Sequence, residues 1–329
     1  MMKSCVVGDV MKKQLIETFY PRHRQHANTV VVVPPKEFQF NEQTAVDNEF
    51  QTPLSMPTET IQQRAMAEYE ALVTHLHQSG VTVIEFDYPL SSMPTPDAVF
   101  PNNWFNTLAD GGLITFPMAS HNRQAEVRVE ALVEVLCQAG RAVSRVETFS
   151  QYIATQRYLE STGAMVMDHD LGLIYAALSQ RCDEDVLKEY ARHIGYEAVA
   201  FATCLPSGKS VYHTNVMMAM GEKFCLLCDE VIAEPMRSHV VQRIAKSKQV
   251  IPITIEQMNH FCGNVLPLTT ATGETLIVLS QSAYQAFQPQ QLSALQQYGT
   301  LLPIDVTTIE QIGGGSVRCM MAEIFLPSV

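Results

Sequence analysis

The sequence predicts an α/β fold of five similar units closed about a pseudo-symmetry axis into a single domain. Three observations point to it. From residue 30 onward one pattern recurs: a polar motif, two strand-like stretches joined by a turn, an amphipathic helix, then another strand. The polar motifs share a register, with Asn103, Glu160, His213, Asn264 and Cys319 following one another at gaps of roughly 50 to 57 residues. The 329-residue chain is also 47% apolar and only 17% charged, below the usual ~25%, as suits a chain with a sizeable buried core.

The first unit runs through TVVVVPP, a helix over about 59–79 and the strand VTVIEFDYP. The second has VFPNNWFNT, a turn at ADGG, LITFPM, a helix over about 122–139, and RAVSRVETF. LESTGAMVMD, a turn at HDLG, LIYAALS, a helix over about 183–194 and YEAVAFAT make the third. The fourth has VYHTNVMMAM, a turn at GEK, FCLLCDEV, a helix over about 235–247 and QVIPIT; the fifth has FCGNVLPLTT, a turn at ATGE, TLIVLSQSAY, a helix over about 288–298 and TLLPID. The helices carry apolar residues at helical spacing, and the strands are rich in Val, Ile, Leu and Met. Cys319 then opens a last strand that completes the first unit. Length alone, at about 150 residues per domain, suggests two domains. Closure of the repeat instead makes 28–329 one catalytic domain, with 1–27 as an N-terminal extension.

A net charge of −12 with no basic run excludes nucleic acid and anionic membrane surfaces as partners. No segment approaches about 18 uninterrupted apolar residues, and the N-terminus lacks a secretory core, so the chain reads as cytoplasmic. Eight scattered cysteines do not form the framework of a small secreted scaffold and are expected as reduced thiols. Cys225 and Cys228 form a CxxC inside the strand-like EKFCLLCDEV, where residues three apart point to opposite faces, and so read as core. His75 and His77, two apart on a helix, do not share a face and make no metal site. The expected partner is a small-molecule amino-acid substrate; an acidic domain of this size is also compatible with a homodimer.

Equivalent positions of closed repeats converge on the axis, so a cysteine, a histidine and a glutamate are expected to meet there. Thiolate is the reactive form of cysteine and needs a neighbour to form at neutral pH. His213 is the natural partner of Cys319, able to protonate a leaving nitrogen and then activate water, while Glu160 orients the imidazole or binds a substrate N–H. The run Gly313–Gly314–Gly315 ahead of Cys319 lets backbone approach a ligand closely, which makes Gly315 a candidate binding residue.

The set LESTGAMVMD, LSQRCD, VYHTNVMM and GGGSVRCMMAEIFLP resembles the amidinotransferase, or guanidino-group-modifying, superfamily, which includes arginine deiminase, dimethylarginine dimethylaminohydrolase and glycine amidinotransferase. The likeness runs from about residue 28 onward. Among its subgroups the chain is most similar to bacterial proteins associated with citrulline utilisation, which share DAVFPNNWF. The resemblance implies a five-bladed alpha/beta propeller of ββαβ repeats, needing neither metal nor organic cofactor. It further implies Cys319 as nucleophile on the central carbon of a guanidino-type group, His213 as acid then base, and Glu160 holding a substrate nitrogen and the imidazole. Arg181 in LSQRCD matches an S-x-R-T segment whose arginine grips the substrate carboxylate, with Cys182 in place of the threonine.

The departures bear on substrate. Relatives carry carboxylates in Phe-x-x-Asp and His-x-Asp motifs, where this chain has Asn103 and Asn215. A cationic guanidinium favours carboxylates, whereas a neutral ureido group is met by amides that both donate and accept. The expectation is therefore a hydrolase of C–N bonds in a ureido amino acid such as citrulline, unless Asp97 or Asp168 restores the missing charge for a guanidino substrate. Deiminase and amidinotransferase activities are the alternatives. A cysteine peptidase or acyltransferase would have no need of Arg181, and a non-catalytic binding module would leave Cys319 no more reactive than Cys5.

Overall fold

The computed structural model describes residues 24–90 and 92–329, so most of the extension expected over 1–27 lies outside the described residues. Its strands form five three-stranded sheets. The first contains β1 (Thr29–Val32), which is followed by helix α1 (Thr58–Gln78) and β2 (Thr82–Glu85). The second comprises β3 (Phe105–Thr107), β4 (Gly112–Thr115), helices α2 (His121–Gln124) and α3 (Val129–Gln138), and β5 (Arg145–Thr148). The third follows with α4 (Ser161–Ala164), β6 (Val166–Asp168), β7 (Leu173–Ala177), α5 (Glu184–His193) and β8 (Glu197–Phe201). Next come β9 (Met218–Met220), β10 (Phe224–Leu227), α6 (Met236–Ala245), β11 (Gln249–Pro252) and the short α7 (Ile255–Asn259). The fifth holds β12 (Leu266–Thr269), β13 (Thr275–Ser280), α8 (Gln281–Ala286), α9 (Pro289–Gln296) and β14 (Thr300–Ile304), and α10 (Thr307–Gly313) leads out of it.

Four of the five sheets share one wiring: an antiparallel hairpin, then a helical crossover to a parallel third strand. The first sheet takes its antiparallel member from far along the chain, since β15 (Ala322–Glu323) pairs with β1, Val30 opposite Glu323 and Val31 opposite Ala322. None of these sheets closes on itself; the fold is a mixed α/β arrangement of small sheets. First strands of neighbouring sheets approach one another, β15 beside β3, β6 beside β9, and β9 beside β12.

The sequences of the strands explain their places. TVVV, GLIT, LIYAA and FCLL, the middle strands β1, β4, β7 and β10, are buried at every position, as expected of strands covered on both faces. Third strands such as RVET in β5 alternate between half-buried and exposed. Among the crossover helices, α5 starts at Asp183, whose side chain accepts from the Asp185 and Val186 amides, and it buries Val186, Leu187, Tyr190 and Ala191. Cys225 and Cys228 are buried, and burial pushes both thiols up, that of Cys228 to about 12. No helix among the described residues is long and apolar enough to cross a membrane.

Two local expectations are corrected. The single helix expected over 122–139 is interrupted between α2 and α3, which lets Arg123 and Glu126 both turn inward and pair at 2.9 Å. Cys319 does not open a strand: its amide donates to the Ser316 carbonyl at 2.9 Å in a turn, and strand geometry begins only at Ala322.

Candidate active site

The five residues in common register occupy equivalent places, each just ahead of the first strand of its sheet. Asn103 ends a 3-10 turn before β3, Glu160 precedes α4 and β6, His213 precedes a 3-10 turn before β9, Asn264 precedes β12, and Cys319 precedes β15. All five are at most 2% exposed. Their spacing in sequence is thus a spacing from sheet to sheet.

Two groups meet here. Cys319 Sγ accepts from Asn264 Nδ2 at 3.2 Å and from Asn215 Nδ2 at 3.4 Å. Asn264 is itself held, giving Nδ2 to the Asn215 carbonyl at 2.9 Å and taking the Arg318 amide on Oδ1 at 3.1 Å. Beside this cradle, His213 Nε2 lies 2.8 Å from Glu160 Oε2, and Glu160 Oε1 accepts the Ala119 amide at 2.9 Å. His213 and Asn215 belong to one turn, which joins the two groups. That turn is fixed by Thr214, whose hydroxyl donates to the Ala164 carbonyl at 2.6 Å and accepts the Ala177 amide at 2.8 Å.

Electrostatics divide the roles. Burial alone would raise the Glu160 carboxyl, but Arg181, the His213 hydrogen bond and Arg123 outweigh it and hold the group down at about 2. For His213 the balance goes the other way: burial lowers its pKa and prevails over the bond to Glu160. A carboxylate accepts and a neutral imidazole carries one proton, so Nε2–H donates to Glu160 and the Nδ1 lone pair remains for chemistry. Backbone strain sits alongside, because Ser161 adopts φ 37° directly after Glu160 and anchors its hydroxyl on the Phe105 carbonyl at 2.9 Å.

Gly163 is required by close approach. A Cβ there would stand 2.1 Å from Asn103 Nδ2 and 2.8 Å from His213 Nδ1. Gly163→Ala is expected to push both side chains out of line and lower kcat about 100-fold with the fold intact, since misplacement by about 1 Å suffices for such a loss. Steady-state kinetics beside a circular dichroism spectrum check this; an unchanged kcat would show that neither side chain needs its present position.

Arg181 is buried rather than on the surface. Its Nε donates to Asp47 Oδ2 at 2.9 Å, Nη2 to the Thr44 carbonyl at 3.0 Å, and Nη1 lies 3.6 Å from Glu160 Oε2. The fork expected for a substrate carboxylate therefore already holds a carboxylate of this chain. Cys182, in place of the threonine, keeps its backbone pairing with Ser179 and Leu159, and burial pushes its thiol up to about 12. Asp97 is buried near Arg181 and Arg123, its Oδ2 taking Asn41 Nδ2 at 2.7 Å and the Thr44 hydroxyl at 3.0 Å while Oδ1 has no hydrogen-bond partner.

Two expected binding residues have other surroundings. Asp168 is the last residue of β6, at the far end of that strand from Glu160, and lies 3.3 Å from Lys248 Nζ. It therefore does not restore the charge missing at Asn103 and Asn215. Gly315 packs on the Phe100 ring, where a Cβ would come within 3.0 Å, and a Cβ on Gly313 would stand 2.7 Å from the same ring. Those glycines make room for an aromatic side chain, and Cys319 behind them is buried.

Several contributors escaped the sequence reading. Residues 34–57, which contain neither strand nor helix, cross over the site and supply Asn41, Thr44 and Asp47, and Asn48 Nδ2 donates to the Gly314 carbonyl at 3.3 Å. A polar stretch between prolines that the repeat does not account for was the available signal. Arg123 and Glu126 gave none, because an i,i+3 pair in a helix reads as surface charge. Glu310, accepting from the Ser316 hydroxyl at 2.6 Å, steadies the turn that carries Cys319. Among the described residues no group of His, Cys, Asp and Glu is placed to hold a metal ion.

The family model for eukaryotic N,N-dimethylarginine dimethylhydrolase matches residues 34–326. No curated protein matches the chain by sequence. Among solved structures, the chain is similar to ArgZ, an arginine dihydrolase from the ornithine–ammonia cycle in cyanobacteria, at 15% identity and a TM-score of 0.71, over 92% of this chain and 41% of that one. It thus spans less than half of full-length ArgZ. The N-terminal domain of ArgZ bound to substrate is similar over 92% of this chain and 99% of that domain, at 14% identity and a TM-score of 0.70. Dimethylarginine dimethylaminohydrolase, as a variant adduct with S-methyl-L-thiocitrulline, is similar at 14% identity and a TM-score of 0.59, over 91% of this chain and all of that one.

Proposed function

Since this chain belongs to the amidinotransferase, or guanidino-group-modifying, superfamily, we propose that it is a cysteine-dependent hydrolase of a C–N bond in a ureido amino acid such as citrulline. The observation that carries the reading is the Cys319 sulfur cradled by two amide N–H donors beside the His213–Glu160 pair. Under it the five sheets are the blades of a propeller, and the residues ahead of their first strands face its axis.

His213 Nδ1 takes the thiol proton and Cys319 Sγ attacks the ureido carbon. The electron pair of the broken C–N bond stays on nitrogen, which leaves with the proton from His213. The amides of Asn215 and Asn264 stabilise the negative sulfur before attack and when it departs again. Water, deprotonated by the same imidazole, then cleaves the C–S bond and restores the thiol. Loss of either nitrogen ends in ornithine, carbon dioxide and ammonia, because both carbamates decarboxylate. Glu160 stays ionised throughout and stabilises the imidazolium. For substrate to enter, residues 34–57 lift away, which separates Asp47 from Arg181 and frees the guanidinium for the substrate carboxylate.

Asn103 and Asn215 decide between substrates. Neither brings a charge, so a guanidinium would lose charge-assisted bonds that are about twice as strong as neutral ones. The test is to incubate the purified protein with L-citrulline and L-arginine and follow ornithine, citrulline and ammonia, beside a Cys319→Ala control. Ornithine from citrulline, lost in the control, is expected. Ornithine or citrulline from arginine alone would overturn the ureido reading and direct attention to Asp97.

A further inference from the structure

Asn103 is gripped from one side. Arg123 Nη1 donates to its Oδ1 at 2.7 Å. Arginine has no acceptor, so the amide atom that faces it must be the oxygen. Nδ2 is thereby turned the other way, over Gly163 and beside His213, where it has no hydrogen-bond partner even though the residue is 2% exposed. Buried donors are normally matched, and an unmatched one beside a reactive group marks a place for a ligand atom.

Arg123 is itself immobilised. Its Nε donates to both Glu126 oxygens at 3.1 and 3.2 Å, and Nη2 donates to Glu126 Oε2 at 2.9 Å and to the Phe100 carbonyl at 2.9 Å. Both members of the pair are buried. A buried ion pair is weak as a source of stability, which leaves its geometry to be explained. At the sulfur, Asn215 spends Nδ2 on Cys319, and its Oδ1 is likewise buried without a partner.

We propose that Arg123, seated on Glu126, is a positioning and specificity-determining residue that locks the Asn103 amide with its N–H2 edge toward the reacting group, so that the site offers a donor from Asn103 and an acceptor from Asn215. The proposal rests on Cys319 as nucleophile and deepens it to the class of group bound. A ureido group matches this pair with its carbonyl oxygen and an N–H. A guanidinium has only donors and meets the Asn103 N–H2 with another N–H. Arg123 thus selects against guanidino compounds without touching either ligand.

The test is the ratio of affinities for L-citrulline and L-arginine, measured by calorimetry in a Cys319→Ala background so that turnover is not needed. Arg123→Lys, which also only donates, is expected to keep most of the ratio. Arg123→Met combined with Glu126→Met removes both buried charges together and frees the amide; the ratio should fall by at least about tenfold. Asn103→Asp keeps the bond from Arg123, presents oxygen instead of N–H2, and should reverse the preference. A double variant that holds the parental ratio, or Asn103→Asp that leaves it unmoved, overturns the assignment, as does a parent that binds neither compound. If the ratios move as stated while the protein with Cys319 intact turns over neither compound, the proposed reaction fails and the role of Arg123 stands.

Discussion

Cys319→Ala is expected to lower product formation by a factor on the order of 10,000 or more, the scale on which removing a catalytic nucleophile acts. The sulfur is the atom on which the nearby donors converge, and no other cysteine of the described residues has this setting: Cys225, Cys228 and Cys262 lie in the apolar core, where burial pushes their thiols up. Stability should fall by no more than about 1–3 kcal/mol, the cost of leaving the buried Asn215 Nδ2 without its sulfur acceptor. Asn264 Nδ2 retains the Asn215 carbonyl after the sulfur is gone, and the turn around residue 319 is held by Glu310 and Ser316 rather than by the thiol. Kinetics and a thermal melt on the same preparation separate the two effects. Activity within about tenfold of the parent would remove Cys319 from the mechanism, and a large fall in melting temperature would recast it as a packing residue.

The second large effect is expected at Glu160. Glu160→Gln keeps the shape but loses the charge that supports an imidazolium, and a loss in kcat of about 10,000-fold is the precedent for uncharging the partner of a catalytic histidine. The same variant has a stability signature. The carboxyl stands at about 2 in the folded chain against an ordinary glutamate value of 4.5, a depressed pKa, so its contribution is complete above about 4.5 and is lost as pH falls towards 2. That contribution is on the order of 3 kcal/mol. Asp97, Glu310 and Glu323, whose carboxyls burial raises, act in the opposite sense, and His213, lowered by burial, acts in the same sense below 6.5. Subtracting the acid-unfolding curve of Glu160→Gln from that of the parent reports Glu160 together with its effect on the hydrogen-bonded His213, and cancels the carboxyls elsewhere. A flat difference between pH 4.5 and 2 would mean that Glu160 is not held ionised, and the assignment of Nδ1 as the free base would fall with it.

Repetition explains what was legible in the sequence. Each unit writes its strands as apolar runs and its helices at helical spacing, so the elements were readable, and the matched positions of Glu160, His213 and Cys319 followed from counting residues. Legibility failed where a residue acts outside the repeat. Asp47 reaches Arg181 across 134 positions from a segment with no secondary structure, and nothing local in AVDNEF signals it. Arg123 and Glu126 were absorbed into a helix because periodicity registers apolar spacing and is silent about which way a charged pair turns. Asp168 was a candidate as a replacement for the charge missing at Asn103 and Asn215, but it ends β6, with three residues between it and the turn that follows Glu160.

The pairing of β1 with β15 sets the order in which competence is acquired. Four sheets are assembled from neighbours in the chain, whereas the sheet that seats Cys319 needs Val30 to find Glu323. The entropy of closing so long a loop exceeds that of a short hairpin only modestly, but the search is slow because contacts distant in sequence form late. A refolding chain can therefore hold most of its helices and hairpins while its thiol is still remote from its histidine. Recovery of activity trails recovery of secondary structure, and a chain arrested before the last pairing has a nearly complete scaffold with no chemistry in it.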